Sequence, residues 1–306
     1  MANEAQAENV LFTSLDNRIA AALGRSTAKN PKESAKVVEN FNRMGIGALM
    51  QGASDGALSL FLQALEYSGF DTDLQAQCLI NIADWRRRVR GELQVALETF
   101  ETLEKNRISP ATRARLMIMK AMVYTYPTEH GQNDPDGIRK SIDLIKQSLK
   151  YIRLIANENE GLALETKCFA THRLTGTVCE YGTEQDKQEA LELIEELVSD
   201  KRIQEDERAR FFYAKAVIQL AKDPWASYAL LMTSAQMVRD TSTLDCCDYY
   251  AKAGLVAFSQ HAPKKAQECL DLAETLAAEA NRRSITPHHF QYLAELREKL
   301  APVSED

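Results

Sequence analysis

Apolar residues recur along this chain at intervals of three and four, as in Leu58, Phe61, Leu62 and Leu65, and again in Leu191, Ile194, Leu197 and Val198. That period collects them on one stripe of an α-helix and leaves polar residues on the other side. No run alternates apolar and polar residues between two-residue hairpin turns, so the pattern predicts no substantial sheet. The helices come in pairs, at 36–51 with 56–67, 73–89 with 92–105, 110–125 with 136–155, 161–180 with 185–199, 205–222 with 224–239, and 243–260 with 263–281. A helix near 4–23, with Val10, Leu11, Leu15, Ile19 and Leu23 on one side, precedes them, and another near 287–300 follows. Ser109-Pro110, Asp134-Pro135, Asp223-Pro224 and Thr286-Pro287 each place a capping side chain before a proline. The oxygen can accept from a first-turn N–H, and proline has no N–H to leave orphaned, so each pair predicts a helix start.

Small residues mark where the paired helices cross. In the first pair Gly45, Ala57, Phe61 and Ala64 stand at relative positions 8, 20, 24 and 27; in the last, Gly254, Ala266, Leu270 and Ala273 keep those offsets. The second pair keeps Ala96, Phe100 and Leu103 but has Asp84 at the glycine position, and the fourth keeps Ala190, Ile194 and Leu197. This pattern resembles the tetratricopeptide repeat, in which small residues at 8 and 20 admit close helix approach and a large residue at 24 fills the space against a neighbour. The spacing is irregular: Ala57 to Ala96 is 39 residues, against a family period of 34. The resemblance implies an all-α, right-handed solenoid of about six TPR-like hairpins with a capping helix at each end. On that reading 1–33 is an N-terminal capping helix and linker, 34–283 the repeat array, and 284–306 a C-terminal capping helix and tail.

The resemblance also implies a use. First helices of such hairpins line a concave groove, here through Asn42, Ile46 and Leu49 of the first pair and Asn81, Trp85 and Arg88 of the second. An amide can donate to and accept from a peptide backbone, and an arginine fork suits a carboxylate. Family members that hold a C-terminal carboxylate pair asparagine with lysine or arginine in this groove, although no lysine stands near Asn42 here. The expected partner-binding residues are Asn42, Ile46, Asn81, Trp85, Arg88 and Arg115. The expected activity is that of a cytoplasmic adaptor or scaffold holding a peptide or helix of a protein partner. Self-assembly into a homo-oligomer through terminal helices and opposed charge blocks, and autoinhibition by the N-terminal helix, are alternatives, with an all-α enzyme whose site is assembled from distant residues ranked last.

Charge and composition narrow the chemistry. The net charge of −7 offers no global positive field for nucleic acid, and no stretch of about 18 apolar residues predicts membrane insertion. The basic run from Arg86 to Arg90 contrasts with the carboxylates between 180 and 210, a blocked pattern that can steer a partner. Arg86, Arg87 and Arg88 nonetheless point around the helix and not at one ligand. Cys168, His172 and Cys179 share a helix without forming a metal-ligand motif, and no P-loop, nucleophile elbow or zinc motif is present. No catalytic residue, metal or cofactor is therefore expected, and the six cysteines are expected to be reduced and mostly buried. Of Cys246 and Cys247, one should pack and the other be partly exposed; likewise one of Tyr249 and Tyr250, and one of Phe211 to Tyr213, should reach the surface.

Overall fold

A computed structural model of the chain describes residues 15–24, 31–125, 134–281 and 290–301. They are helical throughout, with no strand among them. After α1 (15–24) come α2 (Pro31–Met50), α3 (Ser54–Tyr67), α4 (Thr72–Trp85), α5 (Leu93–Glu104), α6 (Pro110–Tyr124), α7 (Pro135–Leu149) and α8 (Ile152–Glu158). Then follow α9 (Glu160–Tyr181), α10 (Glu184–Ser199), α11 (Glu205–Gln219), α12 (Pro224–Val238), α13 (Thr243–Ser259), α14 (Pro263–Asn281) and α15 (Gln291–Leu300). Five of the six expected hairpins pack as pairs, α2/α3, α4/α5, α6/α7, α11/α12 and α13/α14, and the helices expected for the other, α9 and α10, follow one another in the chain. The predicted 136–155 helix is interrupted after Leu149 and resumes as α8, while residues 4–14 and 287–289 of the terminal helices lie outside the described residues.

The starts follow from local chemistry. Ser109 accepts from the Thr112 N–H, Asp134 from Asp136 and Gly137, and Asp223 from Ala226, each with proline next in sequence. Thr183 and Asp186 satisfy each other's backbone donors in a capping box at α10. Thr286-Pro287 lies outside the described residues. Pro31 and Pro263 are themselves the first residues of helices.

The chain divides into two compact units, Met1–Ala170 and Thr171–Asp306, with the boundary inside α9. In the first unit, α1 contributes Leu15 and Ala22 to a core with Val38, Ala57, Phe61, Leu65, Cys78 and Trp85. A second cluster joins Ile80, Ala96, Phe100, Leu116 and Met119. In the second unit the largest core runs through Ala235, Cys246, Cys247, Tyr249, Tyr250, Ala266, Leu270 and Leu296. The small-residue signature lies at these crossings: Ala57, Ala96, Ala190 and Ala266 are fully buried, as are Ala64 and Ala273.

Helix α13 corrects the reading of its adjacent pairs. Cys246 and Cys247 are both fully buried, and Tyr249 and Tyr250 nearly so. The helix is covered on more than one side: the Cys246 thiol donates to the Ala235 carbonyl of α12 at 3.2 Å, and the Cys247 thiol to the Ala273 carbonyl of α14 at 3.3 Å. A helix between two neighbours has two inward faces, so consecutive residues can both be core. Among Phe211, Phe212 and Tyr213 the expectation stands, with Phe211 buried and the other two partly exposed.

Candidate functional site

In the first unit, the first helices of three successive hairpins, α2, α4 and α6, are cross-linked by a row of polar side chains at a nearly constant sequence separation. Asn42 Nδ2 donates to Cys78 Sγ at 3.7 Å across 36 residues, Gln77 to Thr112 Oγ1 at 3.3 Å across 35, and Arg115 to Asn81 Oδ1 at 2.8 Å across 34. Asp73, at the start of α4, accepts from the backbone and hydroxyl of Ser109 and from Thr112. Such spacing is what stacked hairpins of about this period give when equivalent helices lie side by side.

The candidate residues take different depths in this row. Asn42 and Asn81 are buried, and each keeps one unpaired amide atom, Oδ1 of Asn42 and Nδ2 of Asn81. Arg115 lies deep between helices, where burial pulls its guanidinium below the usual arginine range, offset in part by the Asp84 and Glu165 carboxylates. Burial likewise pushes the Cys78 thiol up to about 12, so it is a neutral neighbour of Asn42 and not a nucleophile. Trp85 is 1% exposed, and its indole N–H donates to the Ser54 carbonyl at 2.8 Å, tying α4 to the start of α3. Ile46, at 37% exposed, and Met50, at 73%, lie one turn apart on the open face of α2. Arg88 reaches from α4's end to within 3.9 Å of Met50 Sδ while holding Asp84 at 2.8 Å. Of the six candidates, then, Ile46 and Arg88 face solvent, Asn42, Asn81 and Trp85 are buried, and Arg115 is half-buried.

The arginine run is buried in its first half and exposed from Arg88 onward. It forms a π-helical turn, Arg86–Arg90, closed by the Gly91 N–H bonding the Arg86 carbonyl; Gly91 has a φ of 67°, where a side chain would be strained. Arg86 and Arg87 are buried, Arg86 paired with Asp16 of α1 and Arg87 with Asp84 at 2.7 Å. Charges compensated inside the unit steer a distant partner little.

In the second unit, α9, α11, α13 and α15 carry an equivalent row that sequence reading did not assemble. His172 and Glu207 are joined at 2.8 Å, and Arg210 reaches Glu207 at 3.4 Å and Asp245 at 3.6 Å. The His172 hydrogen bond is the main cause holding the Glu207 carboxyl below the ordinary range. The His172 ring stacks on Phe211 at 4.3 Å, which accounts for the histidine that the sequence grouped with Cys168 and Cys179. Further along, Tyr213 stacks on Tyr249 at 4.7 Å, and Lys252 Nζ sits 4.0 Å above the Tyr292 ring. The separations, 35 from His172 to Glu207 and from Arg210 to Asp245, and 36 from Tyr213 to Tyr249, repeat those of the first unit. That repeat is the signal that was available in the sequence.

Among the described residues no group of three metal-ligating side chains occurs, and no helix is long and apolar enough to cross a membrane. No protein-family model matches the chain, and no curated protein matches it in sequence. Among solved structures, the fold is similar to BtubC (BKLC) from P. vanneervenii, with 15% identity, a TM-score of 0.52, and coverage of 90% of this chain and 94% of that one. The TPR2AB domain of yeast Sti1, solved as a pHSP90 complex, covers 88% of this chain and all of that one at 18% identity. Its TM-score of 0.34 is too low to bear on fold or function. The architecture is all-α, built from consecutive helical hairpins, like that of BtubC.

Proposed function

We propose that the chain is a non-enzymatic scaffold whose first unit holds a peptide or helix of a protein partner against α2, α4 and α6. The carrying observation is the exposed edge formed by Ile46, Met50 and Arg88 over a polar row that joins α2, α4 and α6. Asn42 spends its donor on Cys78 and Asn81 its acceptor on Arg115, leaving one unpaired acceptor and one unpaired donor in adjacent helices. Both atoms are buried beneath the open face of α2, so a partner's contacts fall on Ile46, Met50 and Arg88 above them. Ile46, Met50 and Arg88 supply an apolar edge and a charged fork above the row, with Trp85 and Arg115 as its supports. A partner in this groove fits the absence of any catalytic constellation in the sequence.

The test is capture with the full chain carrying a photo-crosslinker at Ile46, comparing wild type with Asn81→Ala plus Arg88→Ala. The reading expects one set of cross-linked peptides in the wild type and at least about a tenfold loss in the double variant. Equal cross-linking by both discards the groove.

A further inference from the structure

Helix α1 rests on the first unit with a thin footing. Two of its ten residues, Leu15 and Ala22, are buried, against six of fourteen in α3. Ile19 and Leu23 pack half-buried on a core that includes Val38, Phe61 and Trp85, and the rest of the helix is exposed. An ion pair adds to this contact: buried Arg86 of the π turn holds Asp16, whose own side chain is exposed. Arg86 has a second carboxylate within reach. Glu92 follows the turn and is fixed to it, because its N–H, like that of Gly91, bonds the Arg86 carbonyl. Its Oε2 is buried 3.8 Å from Arg86 Nη1 and has no hydrogen-bond partner. The guanidinium thus serves an exposed acid on α1 while a buried one beside it goes without. Burial raises the Glu92 carboxyl above its ordinary range, with Arg86 and Arg90 opposing and Asp16 adding to the rise.

We propose that α1 is an exchangeable strap, and that the seat it leaves takes a helix of a partner protein with apolar residues at its first, fifth, eighth and ninth positions and an acid at its second. Those are the places of Leu15, Ile19, Ala22, Leu23 and Asp16. The spacing gathers the apolar residues on one helix face, and the acid answers Arg86. The exchange has two states. With α1 seated, Arg86 is bound to Asp16 and Glu92 Oε2 is unmet; with α1 released, Arg86 turns to Glu92, so the guanidinium does not lose its countercharge. A buried acceptor without a hydrogen bond is costly, so Glu92 competes with whatever holds Arg86 from outside. That competition, with the small buried footing, is what makes the resident helix replaceable by one of the same chemistry. The seat uses Arg86 and the core beneath α1, not the edge of Ile46, Met50 and Arg88, and so is independent of the groove proposed above.

The experiment is hydrogen exchange of the full chain, read over residues 15–24 with α13 as internal reference. Asp16→Asn should speed exchange in α1 by about fivefold, the worth of a partly exposed ion pair. Glu92→Gln should slow it by about threefold, because Arg86 loses its alternative partner. Opposite signs are the signature, since a merely structural cluster would loosen in both variants. A synthetic peptide with the sequence of residues 15–24, built with heavy leucine so that its mass is distinct, is then added to the wild-type chain. At about the millimolar effective concentration of a tethered helix, it should displace the chain's own α1 and speed its exchange by at least about threefold. The Asp16→Asn form of the peptide should have a weaker effect. Faster exchange in both variants, or an α1 unmoved by the peptide, would overturn the strap. Protection of 15–24 that grows with protein concentration alone would give the seat to a second copy and overturn the partner helix. The peptide measurement needs no variant to fold.

Discussion

The first and last hairpins carry the same small-residue signature and use it against different partners. At position 8 of the first, a Cβ on Gly45 would overlap the ring of Phe61, 2.7 Å from its Cδ1. The glycine exists so that its own hairpin's position-24 aromatic can lie flat across α2. At position 8 of the last, a Cβ on Gly254 would overlap Leu296 Cδ2 of α15 and stand 3.0 Å from Cys269 Cβ of α14. Here position 24 is Leu270, which is 8% exposed, and the space is filled from the capping helix. The second hairpin makes a third solution, with Asp84 at position 8. Its carboxylate binds Arg87 and Arg88, and the helix widens into the π turn two residues later. One motif position therefore serves an intra-hairpin crossing, an end cap, or a buried ion cluster, according to what is packed above it.

The largest effect should come from converting the second solution into the first. Asp84→Gly removes the carboxylate shared by Arg87 and Arg88 and adds a helical glycine, for an expected loss of about 3–5 kcal/mol in chemical denaturation. A loss below about 1 kcal/mol would mean the cluster is a surface-like pairing and the comparison is wrong. Next is Gly45→Ala. Phe61 is 1% exposed and cannot swing away, so overpacking should cost about 2–3 kcal/mol after the small gain in helix propensity. Adding Phe61→Leu should recover a good part of that loss, whereas additivity of the two changes would break the assigned contact.

Much of this architecture was legible in the sequence because it depends on local rules. Capping pairs fixed the starts of α6, α7 and α12, and the spacing of Gly45 with Phe61 marked a tight crossing before any partner was known. The break between α7 and α8 was not legible, because its apolar residues continue the helical period across Lys150 and Tyr151. Burial depth at the candidate site was not legible either. Asn42, Asn81 and Trp85 are polar or amphipathic types that usually reach water, and only the neighbouring helices decide that they do not. The arginine run misled for a related reason: its partners Asp16 and Asp84 come from another helix and from the preceding turn. The second unit's polar row was missed because its members are evenly spaced by 35 or 36 residues but differ in type.

Gly254→Ala should cost less than Gly45→Ala, about 1–2 kcal/mol, because the nearest atom is the end of a leucine side chain on a terminal helix. The loss should also be local. Hydrogen exchange is expected to speed up in α15 while the core of α13 keeps its protection, and Leu296→Ala should cancel the steric part. If α13 and α15 open together, the capping helix is an integral part of the last hairpin and the contrast with Gly45 disappears.

The smallest effect, and the one with a sign that can be reversed by pH, belongs to Asp248. Its carboxyl is raised in the folded chain from 3.8 to about 6, so the contribution of this group is most favourable below the unfolded value and is lost as pH rises through about 6. Above that, the ionised carboxylate is held where burial and the like charge of Asp245 disfavour it. Asp248→Asn should therefore stabilise the unit by about 1 kcal/mol at neutral pH, with the gain shrinking as the pH is lowered and vanishing near about pH 4. At the corresponding position of the first hairpin stands Glu39, which is exposed on α2. Glu39→Gln should change stability by less than about 0.5 kcal/mol at either pH. Melting temperatures of both variants at the two pH values decide the matter: a pH-independent gain in Asp248→Asn would assign the effect to packing and not to the charge.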